Sequence, residues 1–134
     1  MKVMLDTNVL ISAFVFGGQA GRVLETLLAN PFDYEVYVSE YVDKELRDKL
    51  QQKWPGKADK VYQAYRQMNF VFCDSTVEVL GTLRDKKDIP VLSDARYHKV
   101  DVLLTGDKDF LEADIDSPVI LSPAMMLHYL PKRN

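Results

Sequence analysis

The sequence predicts an α/β fold, a three-layer α/β/α sandwich around a central parallel sheet of about five strands. Short apolar runs of strand length alternate along the chain with segments in which apolar residues recur at helical spacing. The segments between the strands are long enough to hold the crossover helices that parallel strands require. With 134 residues, 47% of them hydrophobic, the chain can fill one core. Residues 1–134 are therefore expected to form a single domain.

The N-terminal segment predicts a strand, a helix and a second strand. Residues 2–5 form a short apolar run, as in a strand that is buried on both faces. Residues 20–30 carry a valine and three leucines at helical spacing, and Pro31 ends this helix. Residues 35–38, EVYV, are the next strand.

The middle segment predicts two helices and a third strand. Ser39 is a favoured N-cap residue, and apolar side chains recur every fourth position after it until the helix stops before Trp54. Residues 57–68 bring alanine, valine, tyrosine and methionine side chains to one helical face. Residues 70–72 form a short apolar run that fits a strand.

The C-terminal segment continues the alternation. Pro90 is acceptable in the first turn of a helix, and Ser122-Pro123 combines a capping serine with a proline at the first helical position. Helices are expected over residues 77–83, 89–98 and 124–129, and strands over residues 102–105 and 119–121.

Acidic residues directly follow two of the predicted strands. Asp6 comes after the first strand, and the stretch TGDKD, which includes Asp107, comes after the strand at residues 102–105. In open parallel sheets, sites form beyond the carboxyl ends of the strands, at the point where the strand order reverses. Glu45 lies on the helix after the second strand, and Asp88 lies just before the helix at residues 89–98, so both could reach the same edge.

Each acid also has a plain structural explanation. Asp6 could be a turn or N-cap residue, Asp88 could cap the following helix, and Asp107 could be a turn aspartate. Glu45 could pair with Lys49 one helical turn on.

Four acids on one edge of a sheet are nevertheless costly, because their charges repel unless a proton or a cation relieves them. Carboxylate oxygens suit Mg²⁺ or Mn²⁺. A divalent ion held in this way polarises a phosphodiester and lowers the pKa of an attacking water. The acids together predict metal-dependent phosphodiester hydrolysis.

Composition narrows the class of protein. A net charge of −3 argues against a protein that holds nucleic acid by bulk positive charge, but a nucleic-acid enzyme stays possible. The longest apolar runs are strand-sized, so neither a membrane span nor a secretory signal is expected, and we expect a cytoplasmic protein. The single cysteine, Cys73, has no partner for an internal disulfide and is expected to be a small inert residue near a strand end.

Four segments together resemble the PIN-domain nucleases, and most closely the PIN-family toxin components of toxin-antitoxin systems. They are LDTNVLISAF, SEYVDKEL, RDKKDIPVL and VDVLLTGDKDFL. The resemblance spans nearly the whole chain and implies a PIN-like, Rossmann-like fold. It also implies cleavage of single-stranded RNA with one or two Mg²⁺ or Mn²⁺ ions. A protein antitoxin and a second copy in a homodimer are the partners it suggests.

The resemblance assigns roles to individual residues. The four acids of the family motif fall on Asp6, Glu45, Asp88 and Asp107, as metal ligands and catalytic residues. The supporting positions are Asn8, which helps to orient the first acid, Thr105, the hydroxyl before the fourth acid, and Asp85 and Asp109, flanking acids that reach the metal through water. The expected mechanism is in-line attack by a metal-activated water, with no histidine as base.

Several other residues have two interpretations. Asp94 is expected to be an exposed helix-face residue, with a place at the edge of the site as the alternative. Core packing is the preferred role for the tyrosines and phenylalanines between residues 37 and 72, over base stacking. The Phe14–Phe16 patch could close the core or form a dimer or antitoxin surface. Five basic residues flank the acids and could contact RNA phosphates: Lys44, Arg47, Lys86, Lys87 and Lys108.

Two other functions compete with the nuclease. A haloacid-dehalogenase-like phosphotransferase needs an aspartate two residues after its nucleophile, but Asn8 stands there and cannot shuttle a proton. A non-catalytic RNA-binding or protein-binding module would be marked by loss of one or more acids, and all four are present.

Overall fold

The fold is built on one sheet of five parallel strands, described here from a computed structural model that covers residues 1–76 and 89–130. The strand order in the sheet is β3-β2-β1-β4-β5. Val3 in the central strand pairs with Val36 on one side and with Val102 on the other. The strands are β1 (Lys2–Leu5), β2 (Glu35–Ser39), β3 (Val71–Cys73), β4 (Val102–Leu104) and β5 (Val119–Leu121). The predicted α/β architecture is confirmed.

Helices surround this sheet. The predicted N-caps at Ser39 and Ser122 are confirmed, because each serine hydroxyl accepts a hydrogen bond from the backbone N–H three residues on, at 3.3 and 3.1 Å. The helices are α1 (Thr7–Ile11), α2 (Gly18–Ala29), α3 (Glu40–Lys53), α4 (Ala58–Arg66), α5 (Ile89–Tyr97), α6 (Lys108–Glu112) and α7 (Pro123–Leu127), with a π-helical turn (Ser12–Phe16) between α1 and α2.

The central strands are buried on both faces. Val3, Met4 and Leu5 are all inaccessible to solvent. Because successive strand residues point to opposite faces, this burial requires helices on both sides of β1. The three-layer arrangement therefore follows from the uninterrupted apolar run that the sequence shows.

The strand order reverses between β1 and β4. The chain moves outward from β1 to β2 and β3, returns to the other side of β1 as β4, and ends in β5. The carboxyl ends of β1 and β4 are therefore neighbours at the switch point, where sites of open parallel sheets form.

Two helices next to this edge were not predicted. The chain turns from β1 directly into α1, with Asp6 as the N-cap residue, and α6 follows β4 in the same way, with Asp107 as N-cap. Each of these helices has five residues, which is too few for a helical repeat of apolar residues to be recognised. The helix predicted over residues 77–83 lies outside the described part of the chain.

Aromatic side chains close the core beneath α4. Tyr65 is fully buried and contacts Phe14 and Phe70, with ring centroids 5.9 and 5.6 Å apart. The Tyr65 hydroxyl donates a hydrogen bond of 2.8 Å to Asp43 on α3. Burial, and then this bond to a carboxylate, hold the pKa of Tyr65 far above its usual value. The preference for core packing is thus confirmed at Tyr65.

None of the helices within residues 1–76 and 89–130 combines the length and hydrophobicity that a membrane crossing needs.

Candidate active site

Asp6 lies at the centre of the candidate site, immediately after β1. Its side chain is buried, with 4% of its surface exposed. One carboxylate oxygen, Oδ1, accepts a hydrogen bond from the backbone N–H of Thr7 at 2.8 Å. The other, Oδ2, accepts a hydrogen bond from the hydroxyl of Thr105 at 2.8 Å. Both oxygens of the carboxylate are therefore held in fixed directions.

Thr105 connects the two strand ends. It is fully buried, and its hydroxyl oxygen also accepts a hydrogen bond from the backbone N–H of Asp107 at 3.1 Å. The Asp107 carboxylate in turn accepts a bond from the backbone N–H of Asp109 at 2.9 Å, which caps α6. The TGDKD stretch is thus a turn whose shape is fixed by its own side chains and tied to Asp6.

Asp6 also interacts with two other acids. Burial, as the largest cause, raises the pKa of the Asp6 carboxyl above its usual value. The hydrogen bonds from Thr105 and Thr7 oppose this rise, whereas the negative charges of Glu45 and Asp107 add to it. Glu45 and Asp107 therefore lie near enough to Asp6 for their charges to act on it.

Glu45 reaches the site from α3, which packs against α1. Its carboxylate is also 4.0 Å from the Lys49 amine, one helical turn away, and both side chains are partly exposed. An ion pair of this kind contributes little to stability. The predicted ion pair between Glu45 and Lys49 is therefore present. It leaves Glu45 able to act on Asp6 as well.

The donors at this edge suit a hard divalent cation. They are carboxylate oxygens, the ligands that Mg²⁺ and Mn²⁺ prefer. Burial is the main cause of the raised pKa of Asp6, and a cation would relieve the repulsion from Glu45 and Asp107 that adds to it. Within the described residues, no group of three or more acid, histidine or cysteine side chains could hold an ion by itself. Asp85 and Asp88, the remaining predicted acids, lie outside the described residues.

The predicted supporting residues differ in what they contact. The Thr105 hydroxyl makes the bonds given above, whereas Asp109 takes part through its backbone N–H and its carboxylate has no described contact with the site. The side chain of Asn8 is exposed and, among the described residues, forms no hydrogen bond with Asp6. The backbone N–H of Thr7 and the hydroxyl of Thr105 orient the first acid instead. Asn8 lines a cavity beside the site.

The prediction that Asp94 is exposed was wrong. This residue of α5 is completely buried. Its carboxylate accepts a 2.8 Å bond from the Ser75 hydroxyl and a 2.6 Å bond from the backbone N–H of Thr76. The Ser75 hydroxyl also accepts a bond from the backbone N–H of Tyr41, at the start of α3. Asp94 therefore ties three elements together: α5, the segment after β3 and α3.

Nothing in the local sequence pattern signals this network. The donors lie 18 and 19 positions before Asp94, in a segment without helical or strand periodicity. The one available signal was the placement of an aspartate between Leu92 and Ala95, both of which are buried.

The other polar candidates are peripheral. Lys44, Arg47 and Lys108 are exposed, and Lys86 and Lys87 fall outside the described residues.

Burial raises the pKa of the Cys73 thiol to about 11, and the negative charges of Asp94 and Asp74 add to this rise. A thiol with this pKa is a poor nucleophile near neutral pH, in agreement with the expected inert role.

Solved structures with the same fold include three bacterial proteins. VapBC2 from Rickettsia felis, bound to a DNA fragment from its promoter, has a TM-score of 0.71 at 19% identity, covering 91% of this chain and 98% of that one. FitAcB from Neisseria gonorrhoeae has a TM-score of 0.62 at 19% identity, with the same coverages. VapC20 from Mycobacterium tuberculosis, a sarcin-ricin loop cleaving toxin, has a TM-score of 0.63 at 14% identity, covering 84% and 95%.

Sequence comparison gives the family. Comparison with curated protein sequences produced no match. A family model described as PIN domain matches residues 2–109. The matched span contains all four predicted acids, Asp6, Glu45, Asp88 and Asp107. The chain therefore belongs to the PIN domain family.

Proposed function

We propose that the protein is a Mg²⁺- or Mn²⁺-dependent endoribonuclease that hydrolyses phosphodiester bonds of single-stranded RNA. Membership in the PIN-domain nuclease family supports hydrolysis of nucleic acid. The observation that carries the proposal is the buried Asp6 carboxylate, whose pKa is raised by burial and by Glu45 and Asp107 at the switch point of the sheet. A buried carboxylate on which two further negative charges act is an arrangement that a bound cation stabilises.

In this proposal Asp6, Glu45, Asp88 and Asp107 hold the metal and are the catalytic residues. A divalent ion held by these acids would supply a lowered pKa for an attacking water and would offset negative charge on the phosphate. Thr105 keeps the Asp6 carboxylate in one orientation through its 2.8 Å hydrogen bond. Asp107 fixes the first turn of α6, because its carboxylate accepts from the N–H of Asp109.

The experiment is cleavage of a short single-stranded RNA with Mg²⁺ or Mn²⁺. We expect Asp6→Asn and Glu45→Gln to lower the cleavage rate at least 100-fold, and EDTA to abolish cleavage. Asp48→Asn is the matched control, because Asp48 is an exposed acid on the same helix as Glu45, three residues further on. Cleavage that persists in Asp6→Asn and in EDTA would contradict the proposal.

The same experiment separates the alternatives. If the protein is a non-catalytic binding module, the native chain should bind the RNA and leave it uncut at every metal concentration. The haloacid-dehalogenase-like alternative has lost its support, because the chain belongs to the PIN domain family and Asn8 occupies its acid–base position.

We also propose that this nuclease is the toxin of a toxin-antitoxin pair and acts in the cytoplasm as a homodimer. The resemblance to PIN-family toxin components supports this role, as does the likeness of fold to VapC20, which is a toxin. Expression of the native chain should arrest growth, Asp6→Asn should not, and co-expression of a small neighbouring reading frame should restore growth. Normal growth with an active nuclease would contradict the toxin role. Sedimentation analysis would test the dimer, and a monomer at micromolar concentration would rule it out.

A further inference from the structure

A cavity of about 500 Å³ opens next to the segments that carry Asp6 and Asp107, although neither of these acids lines it. It shares Asn8 with the segment that follows Asp6, and Gly106 with the turn that precedes Asp107. The π-helical turn, the first residues of α2 and the first residues of α7 supply its other walls. Its volume lies in the range of pockets that hold small molecules. Since Asn8 is two residues after Asp6 and Gly106 directly precedes Asp107, a group bound here would lie near a phosphate held at the acidic edge.

The lining of this cavity is polar but uncharged. None of the described residues that line it is acidic or basic. The polar side chains are the amides of Asn8 and Gln19 and the hydroxyls of Ser12 and Ser122. Amides and hydroxyls both donate and accept hydrogen bonds, as the edges of nucleobases do. A phosphate would instead require cations, so the cavity suits the neutral part of a nucleotide.

An aromatic ring stands at the same cavity. Phe16 is 72% exposed, although phenylalanine is usually buried. It contacts Trp54 edge to face, with ring centroids 5.8 Å apart, and this contact restricts its movement. Exposed aromatic rings beside nucleic-acid sites commonly stack on unpaired bases.

Two glycines follow Phe16 and also line the cavity. Gly17 and Gly18 have φ angles of +82° and +58°, a region that residues with a Cβ atom rarely adopt. No atom lies within 4 Å of the place where either glycine would carry a Cβ. The chain thus turns from the π-helical segment into α2 without a side chain at the turn itself.

We propose that this cavity binds one unpaired nucleobase of the RNA strand, adjacent to the phosphodiester at the carboxylates. The base stacks on Phe16, and its edge forms hydrogen bonds with Asn8, Gln19 and Ser122. This inference rests on the proposed ribonuclease function, and it adds the selection of substrate by one base. Gln19 and Asn8, whose amides are exposed and adaptable, determine which base is preferred.

The test measures binding separately from cleavage. Fluorescently labelled single-stranded RNA is titrated in EDTA against the native chain, Phe16→Ala and Phe32→Ala. Phe32 is the matched control, because it is fully exposed and does not line the cavity. Loss of one stacked base should weaken binding of Phe16→Ala about 10-fold. Phe32→Ala should bind as the native chain does.

A second substitution and an abasic RNA make the result specific. Gln19→Leu keeps an exposed side chain of similar size, and it should alter the preference among oligo-A, oligo-C, oligo-G and oligo-U several-fold. In a series of RNAs that each lack the base at one position, a single position should weaken binding to the native chain about 10-fold. That position should have little further effect on Phe16→Ala, because both changes remove the same contact.

Two results would overturn the inference. One is unchanged RNA binding by both Phe16→Ala and Gln19→Leu, which would also be the outcome if the cavity received a protein segment. The other is that the losses of binding free energy caused by the abasic position and by Phe16→Ala add up when the two changes are combined. Failure of the ribonuclease proposal would look different, since the native chain would then leave RNA uncut while its binding still depended on Phe16.

Discussion

Thr105→Val isolates one hydroxyl group at the centre of the site. Valine has nearly the shape of threonine, so the fully buried side chain keeps its packing and loses only its oxygen. Two hydrogen bonds disappear: the 2.8 Å bond to Asp6 and the 3.1 Å bond from the backbone N–H of Asp107. Asp6 then retains the Thr7 N–H as its donor among the described residues.

The strength of a hydrogen bond to a charged group sets the expected loss of cleavage rate. A hydrogen bond to a charged group is worth about 1.5–3 kcal/mol. If this energy orients Asp6 in the active state, its loss lowers the cleavage rate roughly 10- to 150-fold. Residues that orient metal ligands show losses of about 10- to 100-fold, which is the same range. The pKa of Asp6 should rise further, because the Thr105 bond lowers it in the native chain. The acid limb of the pH–rate profile should therefore move to higher pH.

The assay is RNA cleavage as a function of Mn²⁺ concentration and of pH, with Thr105→Ser as the control. Serine keeps the hydroxyl and should retain activity within a few-fold of the native rate. Thr105→Val should need more metal for half-maximal activity. Native activity, metal dependence and pH profile in Thr105→Val would refute the role of this hydrogen bond.

Three further predictions concern stability, measured by urea denaturation. In EDTA, the difference in free energy of unfolding between Asp6→Asn and the native chain should shift in favour of the variant as the pH rises from about 4 to neutral. Burial raises the pKa of the Asp6 carboxyl in the folded chain above its usual value, so the native chain loses stability as the pH rises from the unfolded pKa to the folded one, whereas the amide does not titrate. The amide offers one acceptor to the two donors on Thr7 and Thr105, a cost that is the same at every pH and is subtracted from this advantage. An advantage that stayed constant down to pH 3 would contradict this. Asp94→Ala should cost roughly 2–3 kcal/mol, because Ser75 and Thr76 lose their acceptor, whereas Asp94→Asn keeps one acceptor and should cost about half as much; equal costs would argue against the hydrogen-bond account. Tyr65→Phe should cost about 1–2 kcal/mol through its bond to Asp43, and Tyr62→Phe, with a partly exposed hydroxyl on the same carboxylate, should cost less.

The sequence predicted those parts of the fold that have a local cause. Strand β1 is an uninterrupted apolar run because it is covered on both faces, and α3 begins at a serine that caps it. The placement of Asp6 and Asp107 at one edge followed from a general rule about parallel sheets. It required only that both residues come directly after buried strands.

Two kinds of feature could not be predicted from the sequence pattern: very short helices, and contacts between distant segments. The five-residue helices α1 and α6 are too short to show a helical period, and they start where Asp6 and Asp107 accept backbone N–H groups. The burial of Asp94 depends on Ser75 and Thr76, which single-sequence patterns do not connect with it. A polar residue on a predicted helix is assigned to the surface by default, and this default fails where a loop supplies donors.

The bond between Thr105 and Asp6 joins residues 99 positions apart, and this separation has a consequence for protein synthesis. Strand β1 is translated well before its neighbour β4, because β2, β3 and helices α1 to α5 lie between them in the chain. Contacts between such remote segments form late in folding. A ribosome-bound chain that ends before residue 102 contains Asp6 and Glu45, but it lacks the hydroxyl that orients Asp6 and the acid at position 107. The growing polypeptide therefore cannot hold Asp6 in its final orientation until β4 and the turn that follows it have been translated.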